Sequence, residues 1–466
     1  MRWWIGATGV LLAALMLESG LLAYAMYVLL GLLLLTRWLA RAGVESLSAT
    51  RVVRRARRKG EDAPAEVDEG VADGLALEIG DRIVVVVTIH NEGTLRVPWL
   101  IAEDSLPGDP LRFEHPRLKV RGKRATITAV GGGDEVTLKY SLECLARGYF
   151  QIGPLVLESG DLFGLHRRFR VVADPKFVLV YPRIVPLTGY DLASRRPIGD
   201  VRMTYRLFED PTRIAGVRPY EQGDPLNRIH WRATARTGML HSKIHEPSTL
   251  SGVTVLLDLH RAGYPRRGEP VRSELAITAA VSLANAVFLL GQQVGLVSNA
   301  RDAAERIRTE GWQRDPASRA QAKEAAIDLP TSTKVDPLVV PTRRGAEQLQ
   351  RIRETLARAE LGDGLDLAGL LVDSAHRMPR DATVLAVVGE VSVESAISLG
   401  NLRRRGMAVA VVLVLMDDSG LERAYARLIA EGVRDLRHLA DEATLPDLCR
   451  NQVNRLSSYD FAGLGE

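Results

Sequence analysis

The chain has 466 residues, of which 46% are hydrophobic and 25% are charged. This length exceeds what one hydrophobic core normally supports, so more than one domain is expected. Lysine and arginine together number 61 against 57 aspartates and glutamates, and the small net charge of +4 argues against a nucleic-acid-binding protein. Cys144 and Cys449 lie far apart in no metal-finger spacing, which is typical of a reducing compartment and excludes a disulfide framework.

Residues 1–36 are predicted to form a transmembrane helical hairpin. The run 3–35 is almost wholly apolar and is interrupted only by Glu18-Ser19-Gly20. A single helix over this run would be about 50 Å long, whereas the hydrocarbon core of a bilayer is about 30 Å thick. Two short helices joined at 18–20 fit better, with a thinned bilayer or a tilted hairpin. A cleaved signal peptide is disfavoured because the run stays apolar beyond Ala23-Tyr24-Ala25.

A linker that is first basic and then acidic is predicted over residues 37–70. Arg37, Arg41 and six further basic residues between 51 and 59 follow the apolar run. Arg2 precedes the run, so the positive-inside rule places both ends of the hairpin in the cytoplasm. We therefore expect a multi-pass protein of the cell membrane with a cytoplasmic soluble region. Residues 61–70 are acidic and contain alanine and proline, as solvated linkers do.

A small antiparallel β-sandwich-like domain is predicted over residues 71–182. Runs of β-branched and alternating residues at 81–89, 125–128 and 135–142 indicate strands, and Asn91-Glu92-Gly93 indicates a turn. Short strands separated by glycine, proline and aspartate are typical of a sandwich. We expect this domain to act as a spacer or an interaction module.

Residues 216–246 combine tyrosine, tryptophan, several arginines and three histidines. Asp224-Pro225 predicts a helix start and Gly238 a helix stop, so a short helix over about 225–237 is expected between two extended arms. Arg228, Arg232 and Arg236 are spaced four apart and would line one face of that helix, as planar donors for carboxylates or phosphates. Trp231 lies off this row and is expected on the side that packs on the domain.

Residues 251–458 are predicted to form a doubly wound α/β domain. Buried strands are expected at 252–258, 294–298, 383–388 and 407–415, with helices between them. This alternation indicates a mostly parallel sheet. Residues 300–344 are charged and poor in apolar runs, so they are interpreted as an excursion from the sheet.

The region 183–250 carries a motif that closely resembles the signature of the bacterial and archaeal family called domain of unknown function 58. The matching residues are Tyr220-Glu221-Gln222-Gly223-Asp224 and Arg228-Ile229-His230-Trp231-Arg232-Ala233-Thr234-Ala235-Arg236. Residues 147–154 (RGYFQIGP) and 161–165 (DLFGL) are similar to the lead-in usual in that family, which also has the membrane hairpin. The resemblance therefore spans most of the chain.

The resemblance implies a membrane-anchored protein whose C-terminal part is similar to a von Willebrand factor A domain. Members of the family are commonly encoded beside MoxR-type AAA+ ATPases, which implies a role as partner or adaptor of such an ATPase. The implied process is the assembly or maturation of other proteins, including those of the cell envelope. On this basis we predict a non-catalytic membrane-anchored adaptor or scaffold.

A von Willebrand A domain often holds Mg²⁺ through an Asp-x-Ser-x-Ser loop after its first strand. The corresponding loop is Asp258-Leu259-His260-Arg261-Ala262, which has lost both serines, and Glu390 leaves one acidic side chain after the fourth strand. We therefore expect Asp258 to cap the following turn. Zinc would need ligands beyond His230, His241 and His245, and only Glu246 is near in sequence. No metal and no cofactor are predicted.

Sequence motifs of the common enzyme classes are missing. The chain has no GxxxxGK[ST] phosphate loop and no GxSxG nucleophile elbow. The alternative is a metal-dependent hydrolase that uses Asp258, Glu390 and nearby histidines. The residues predicted to bind a partner or to clamp the motif are Arg218, Tyr220, Gly223, Asp224, Arg228, Trp231, Arg232 and Arg236. Clamping through Glu221 or Asp224 and docking of a partner stay equal alternatives, and capture of an anion or nucleotide ranks third.

Overall fold

The computed structural model describes most of the chain. The described residues are 6, 8, 9, 20–56, 75–106, 116–161, 166–188, 208–220, 229–248, 252–310, 336–379 and 383–449. The chain divides into two compact units, each described by itself below. Unit 1 comprises Met1–Arg183, Asp302–Thr333 and Glu354–Glu360. Unit 2 comprises Ile184–Arg301, Lys334–Arg353 and Leu361–Glu466.

The first element described in full is a long apolar helix, α1 (Gly20–Glu45). Its 26 residues span about 39 Å, and the part Tyr24–Glu45 is long and apolar enough to cross a membrane. The same test also selects Val271–Leu289, but 67% of that window is buried, as in the core helix of a soluble domain. Apart from residues 6, 8 and 9, the first arm of the predicted hairpin lies outside the described residues.

The first half of the predicted linker 37–70 is wrong, because it is regular structure. Helix α1 continues to Glu45, and strand β1 (Leu47–Arg55) follows after one residue. Ala40, Val44 and Leu47 are at most 3% exposed. The helix therefore ends in a packed environment, and burying its apolar side chains stabilises the helical continuation. Residues 57–70 lie outside the described residues.

Unit 1 contains the β-rich part of the chain. Its further strands are β2 (Leu75–Glu78), β3 (Arg82–Asn91), β4 (Val97–Asp104), β5 (Leu118–Gly122), β6 (Ala125–Val130), β7 (Glu135–Cys144), β8 (Gly148–Ile152), β9 (Leu155–Gly160), β10 (Arg167–Ala173) and β11 (Lys176–Tyr181). They form two four-stranded sheets, β1-β3-β7-β5 and β10-β9-β4-β6, and a three-stranded sheet, β2-β11-β8. Pairing is antiparallel except between β2 and β11.

One core unites the three sheets of unit 1. Alternate residues of β3 (Ile83, Val85, Val87 and Ile89) are at most 1% exposed, as expected when one face of a strand is buried. They belong to the same apolar cluster as Leu100 of β4, from the second sheet.

A buried ion pair crosses this core. The guanidinium of Arg51 on β1 donates to the carboxylate of Asp104 on β4 and, at 2.5 Å, to the carbonyl of Asp174. The Tyr140 hydroxyl on β7 donates to the same carboxylate at 2.6 Å. Burial, and then the nearby Asp104 charge, raise the pKa of the Tyr140 phenol. Three strands are thereby joined by one charged group.

Unit 2 is built around a six-stranded sheet in the order β17-β15-β14-β19-β20-β21. These strands are β14 (Gly252–Leu257), β15 (Gln293–Ser298), β17 (Leu338–Arg343), β19 (Thr383–Val388), β20 (Val409–Val414) and β21 (Asp435–Leu439). Only the edge strand β17 runs antiparallel to its neighbour. Each residue of β14 is buried, as in a strand covered on both faces.

Helices connect the strands of this part of the chain. The seven-residue helix α2 (Trp231–Thr237) precedes the sheet, and the later helices are α3 (Val271–Leu289), α4 (Ala303–Glu310), α5 (Ala346–Arg358), α6 (Leu367–Ser374), α7 (Val393–Arg404) and α8 (Asp418–Ala430). Two short strands, β16 (Arg301–Asp302) and β18 (Ala359–Glu360), pair with each other. Helix α4, strand β18 and the end of α5 belong to unit 1. The predicted excursion 300–344 from the sheet is wrong at its C-terminal end, because residues 338–343 form the edge strand β17. At its start, β16 and α4 lie outside the six-stranded sheet. Its residues 311–335 lie outside the described residues.

Candidate functional site

A two-stranded hairpin carries the signature motif. Strand β12 (Phe208–Pro219) pairs antiparallel with β13 (His241–Ser248), and α2 lies between them in the chain. Among the described strands, neither pairs with any other. An isolated two-stranded hairpin is only marginally stable in water. Contacts at its tip therefore add to the stability that its own ladder provides.

The tip is the short helix α2 with an unusual N-terminal cap. The His230 imidazole accepts through Nδ1 from the Ala233 N–H at 3.0 Å. At the other end Gly238 has φ 74°, and its N–H donates to the Thr234 carbonyl at 2.9 Å. A left-handed glycine at this position confirms the predicted helix stop.

The predicted continuous helix over about 225–237 is wrong at residues 229–230, and its expected start at Asp224-Pro225 lies outside the described residues. Ile229 forms a β-bridge with Ser242 and is 5% exposed, so the backbone is extended there and the helix begins at Trp231. Tertiary pairing has overridden a local capping pattern. Gly223, Asp224 and Arg228 were also predicted as site residues, and they lie outside the described residues.

One face of α2 is fixed to β13 by polar contacts. Thr234 accepts through Oγ1 from the His241 N–H at 3.1 Å. The Thr237 hydroxyl lies 3.2 Å from His241 Nδ1. The His230 N–H donates to the His241 carbonyl at 2.8 Å. Because Thr234 and Thr237 are one helical turn apart, these bonds turn the opposite face toward solvent.

That opposite face carries Trp231, Arg232, Ala235 and Arg236. Trp231 is 68% exposed, so its predicted packing on the domain is wrong. The two Thr contacts to β13 fix the rotation of the helix and leave the indole outside. Arg232 and Arg236 are exposed, four residues apart, and have no ion pair among the described residues. The structure therefore brings two of the predicted arginines and the tryptophan to one surface.

Arg218 and Tyr220 lie at the base of this tip. Both are half-buried. Arg218 donates to the Pro219 carbonyl at 3.4 Å, and the Tyr220 N–H donates to the Leu240 carbonyl at 2.9 Å. Both of these hydrogen bonds lie within the hairpin itself.

The three histidines of the motif make contacts within the hairpin and its tip. His230 caps α2, His241 contacts Thr237 and the Met239 carbonyl, and His245 pairs with Ile214 in the ladder. In the described part of the chain no group of three His, Cys, Asp or Glu side chains is placed to hold a metal ion. The described histidine contacts therefore provide no zinc site.

A second candidate site lies at the carboxyl ends of the parallel strands, where open α/β sheets bind ligands. Asp258 follows β14, and its Oδ1 accepts from Asn299 Nδ2 at 2.7 Å and from the His260 N–H at 3.1 Å. The second bond confirms that Asp258 caps the following turn. Burial is the main cause that raises the pKa of the Asp258 carboxyl.

The chain's own side chains fill the space beside Asp258. The buried Tyr264 hydroxyl donates to the Asp258 carbonyl at 2.7 Å. Arg272 stacks 5.8 Å from the Tyr264 ring and donates to the Gly389 carbonyl and, at 3.1 Å, to the Val414 carbonyl. Glu390 is exposed. These residues do not fit a Mg²⁺ site, because neither His260 nor Ala262 supplies the oxygen of the lost serines.

Asn299 is the residue of this edge that the sequence prediction missed. It follows β15, the neighbour of β14, and it also accepts from the Leu259 N–H at 2.7 Å. A polar residue directly after a predicted buried strand was the available signal. Its partner could not be chosen without the order of the strands.

Comparison with known proteins finds a family match over most of the hairpin and the residues that follow it. A family model described as "Protein of unknown function DUF58" matches residues 216–336. The "Uncharacterized protein YeaD" of Bacillus subtilis (strain 168) is 24% identical over 227 residues, which cover 48% of this chain and 54% of that protein. The chain thus spans about half the length of this curated relative. The resemblance found in the signature motif is confirmed at the level of this family match.

Solved structures give only weak similarity. Proximal thread matrix protein 1 from the mussel byssus is 8% identical, with a TM-score of 0.29. The match covers 43% of this chain and 46% of that protein. Native alpha-2-macroglobulin from Escherichia coli is 17% identical, with a TM-score of 0.19. That match covers 29% of this chain and 24% of the macroglobulin chain. Neither score supports a fold assignment.

Proposed function

We propose that this protein is a non-catalytic, membrane-anchored adaptor whose hairpin tip docks a MoxR-type AAA+ ATPase. The observation that carries the proposal is the outward face of α2, where Trp231 is 68% exposed beside Arg232 and Arg236. Tryptophan and arginine are the residue types most enriched among interface residues that dominate binding energy. An exposed tryptophan held in place by polar contacts on the opposite helix face suits docking better than packing.

The anchoring part of the proposal is supported by α1. The segment Tyr24–Glu45 has the length and hydropathy of a membrane span and lies near the N-terminus. The basic residues Arg37 and Arg41 near its C-terminal end support a cytoplasmic location for the units that follow. A second span upstream, and hence a multi-pass topology, is part of the proposal.

We also propose that the sheet of unit 2 is a von Willebrand A-like domain that acts by binding. Numbered in chain order, its strands follow the order 3-2-1-4-5-6, which is a doubly wound arrangement. The loops at its carboxyl edge are held by Asp258, Asn299 and Tyr264. This internal hydrogen bonding supports a role without metal-dependent chemistry.

The partner is assigned through the family resemblance. Its members are commonly encoded beside MoxR-type ATPases, and the family match at 216–336 covers the exposed tip. An adaptor at the membrane would bring the ATPase to proteins being assembled or matured, including those of the cell envelope. The tip then provides the physical contact.

A pull-down from detergent extract tests the proposal. Trp231→Ala and Arg232→Ala should each reduce capture of the AAA+ ATPase about tenfold relative to the wild-type chain, as loss of a dominant interface residue does. Val372→Ala on α6 is the matched control, because Val372 is also exposed, at 78%. If no ATPase is captured by the wild-type chain, or if both tip variants capture it undiminished, the docking role is refuted.

Clamping of the fold is separated from docking by a stability measurement. Thermal unfolding of the same variants should match the wild type within a few degrees if the side chains act only toward a partner. A large fall in unfolding temperature, with capture lost in proportion, would instead assign these residues to the fold.

A further inference from the structure

We infer that the surface recognised by the hairpin tip is a protein surface with carboxylates beside an apolar pocket, the pocket taking the Trp231 indole. This inference rests on the proposed function and specifies the chemistry of its partner. It follows from the charge and the exposure of the tip, defined here as residues 217–220 and 229–243.

The charged residues of the described tip are all basic. It contains Arg218, Arg232, Arg236 and Lys243 and no aspartate or glutamate. Arg232 and Arg236 are exposed on one face of α2 and have no ion pair among the described residues. Their Cβ atoms are about 5–6 Å apart, because they are separated by four residues of helix. Two planar guanidinium groups at this spacing can each take a carboxylate in a bidentate pair.

The same face also carries apolar side chains. Trp231 lies at its start, and Ala235 occupies the position one turn further on. A methyl group therefore separates the indole from the arginines, and it leaves room for a partner side chain. Met239 and Leu240 follow the helix and are 67% and 45% exposed. A partner that only neutralised the charges would leave this apolar surface in water.

The number of basic residues on this face and the net charge of the chain fit a protein partner better than a lipid or nucleic-acid partner. Recognition of anionic lipid typically uses clusters of about four to eight basic residues, whereas only two of the four basic residues of the described tip, Arg232 and Arg236, share the outward face of α2. The net charge of the whole chain is +4, which offers little attraction for a phosphate backbone. The pairing of tryptophan with arginine is instead typical of protein interfaces.

Photo-crosslinking on the full-length chain in its native membranes tests the inference. Ala235→p-benzoylphenylalanine places the crosslinker between Trp231 and the arginines and keeps all three. Mass spectrometry should identify a crosslinked partner peptide that carries at least two Asp or Glu residues close to apolar ones. The yield should fall about tenfold in Arg232→Gln/Arg236→Gln, and also at about 1 M salt, where charges are screened beyond about 3 Å.

Two controls define the baseline. Arg343→Gln/Arg344→Gln removes two exposed arginines elsewhere in unit 2 and should leave the yield unchanged. Val372→p-benzoylphenylalanine carries the crosslinker at another exposed position and should not give the same product. Thermal unfolding of Arg232→Gln/Arg236→Gln should match the wild type.

The possible products separate this inference from the proposed function. An acidic peptide from a protein that is not an AAA+ ATPase would support the inference and refute the proposed partner. An ATPase peptide without carboxylates, or a yield that the double glutamine variant does not change, would overturn the inference and keep the partner. Crosslinks only to lipid, only within the chain, or none at all would overturn both.

Discussion

Removing the N-terminal cap that His230 provides is expected to have a measurable effect on the hairpin tip. His230→Ala removes the Nδ1 atom that accepts from the Ala233 N–H at 3.0 Å. The same N–H also reaches the His230 carbonyl at 3.0 Å, so part of its bonding survives the change. Loss of an N-cap acceptor costs about 0.5–2 kcal/mol, and we take about 1 kcal/mol here, which is about fivefold in the helix equilibrium.

A seven-residue helix cannot absorb this loss easily. Helices this short are marginal in water and depend on their caps and packing. Hydrogen exchange on the full-length protein in detergent should therefore show about fivefold faster exchange for the Thr234 and Gly238 amides, whose acceptors are His230 and Thr234. ATPase capture should fall by no more than the same factor.

The control is a residue that restores the cap. His230→Asn places a side-chain oxygen at the same position and should return exchange and capture close to wild-type values, because asparagine is a strongly preferred N-cap. If His230→Asn behaves like His230→Ala, the imidazole has another role and capping does not explain the tip. If His230→Ala changes neither amide exchange nor ATPase capture, the contacts of α2 with β13 hold the helix without the cap.

Buried charges in both units lead to three further expected outcomes. Arg51→Ala should destabilise unit 1 by about 3–5 kcal/mol by leaving Asp104 unpaired, seen as faster hydrogen exchange in β3, and Arg51→Met/Asp104→Leu should cost less. Burial raises the pKa of Asp258, so its stabilising contribution is present in acid and is lost as the pH rises through the native-state pKa. Asp258→Asn should therefore match the wild type in thermal unfolding at low pH and exceed it at neutral pH. Elemental analysis of the purified chain should find no stoichiometric divalent ion, and finding one would favour the hydrolase alternative.

The helix of the signature motif shows how far a local pattern reaches. Gly238 was identified correctly as the helix stop, because a glycine needed at φ 74° follows from local sterics. A continuous helix from Asp224-Pro225 was predicted because these residues form a good local start, but Ile229 is held in a bridge with Ser242. That bridge forms only when the two hairpin arms meet, so no capping rule contains it.

The parallel strands of unit 2 illustrate the same limit at the level of the sheet. The apolar runs predicted β14, β15, β19 and β20, whereas the edge strands β17 and β21 were missed. Edge strands are less apolar: β17 has an exposed proline, Pro341, and β21 contains Arg437. Asn299 was missed for a related reason, since contact with Asp258 requires knowing that β14 and β15 are neighbours.

The basic segment after the apolar run has two physical roles, and only one is visible as a pattern. Counting charges predicts a cytoplasmic flank, but Arg51 in that flank is 6% exposed and pairs with Asp104, 53 residues away. Burial of an arginine is costly unless a partner meets it. A pairing at that separation depends on the fold of unit 1, so local composition alone assigns the whole segment to a linker.

The junction between α1 and β1 shows how the proposed anchor could hold unit 1 at the membrane. A span of about 39 Å exceeds the hydrocarbon core by about 9 Å, and Trp38 is exposed near that level while Ala40 and Val44 are buried. Arg170 donates to the carbonyls of Val44, Glu45 and Leu47 at 2.9–3.3 Å, and therefore satisfies the last turn of the helix. A single residue separates helix from strand, and its hydroxyl donates to Asn91 at 2.9 Å. An anchor joined in this way transmits its orientation to the sheets of unit 1, which a solvated linker at 37–70 would not do.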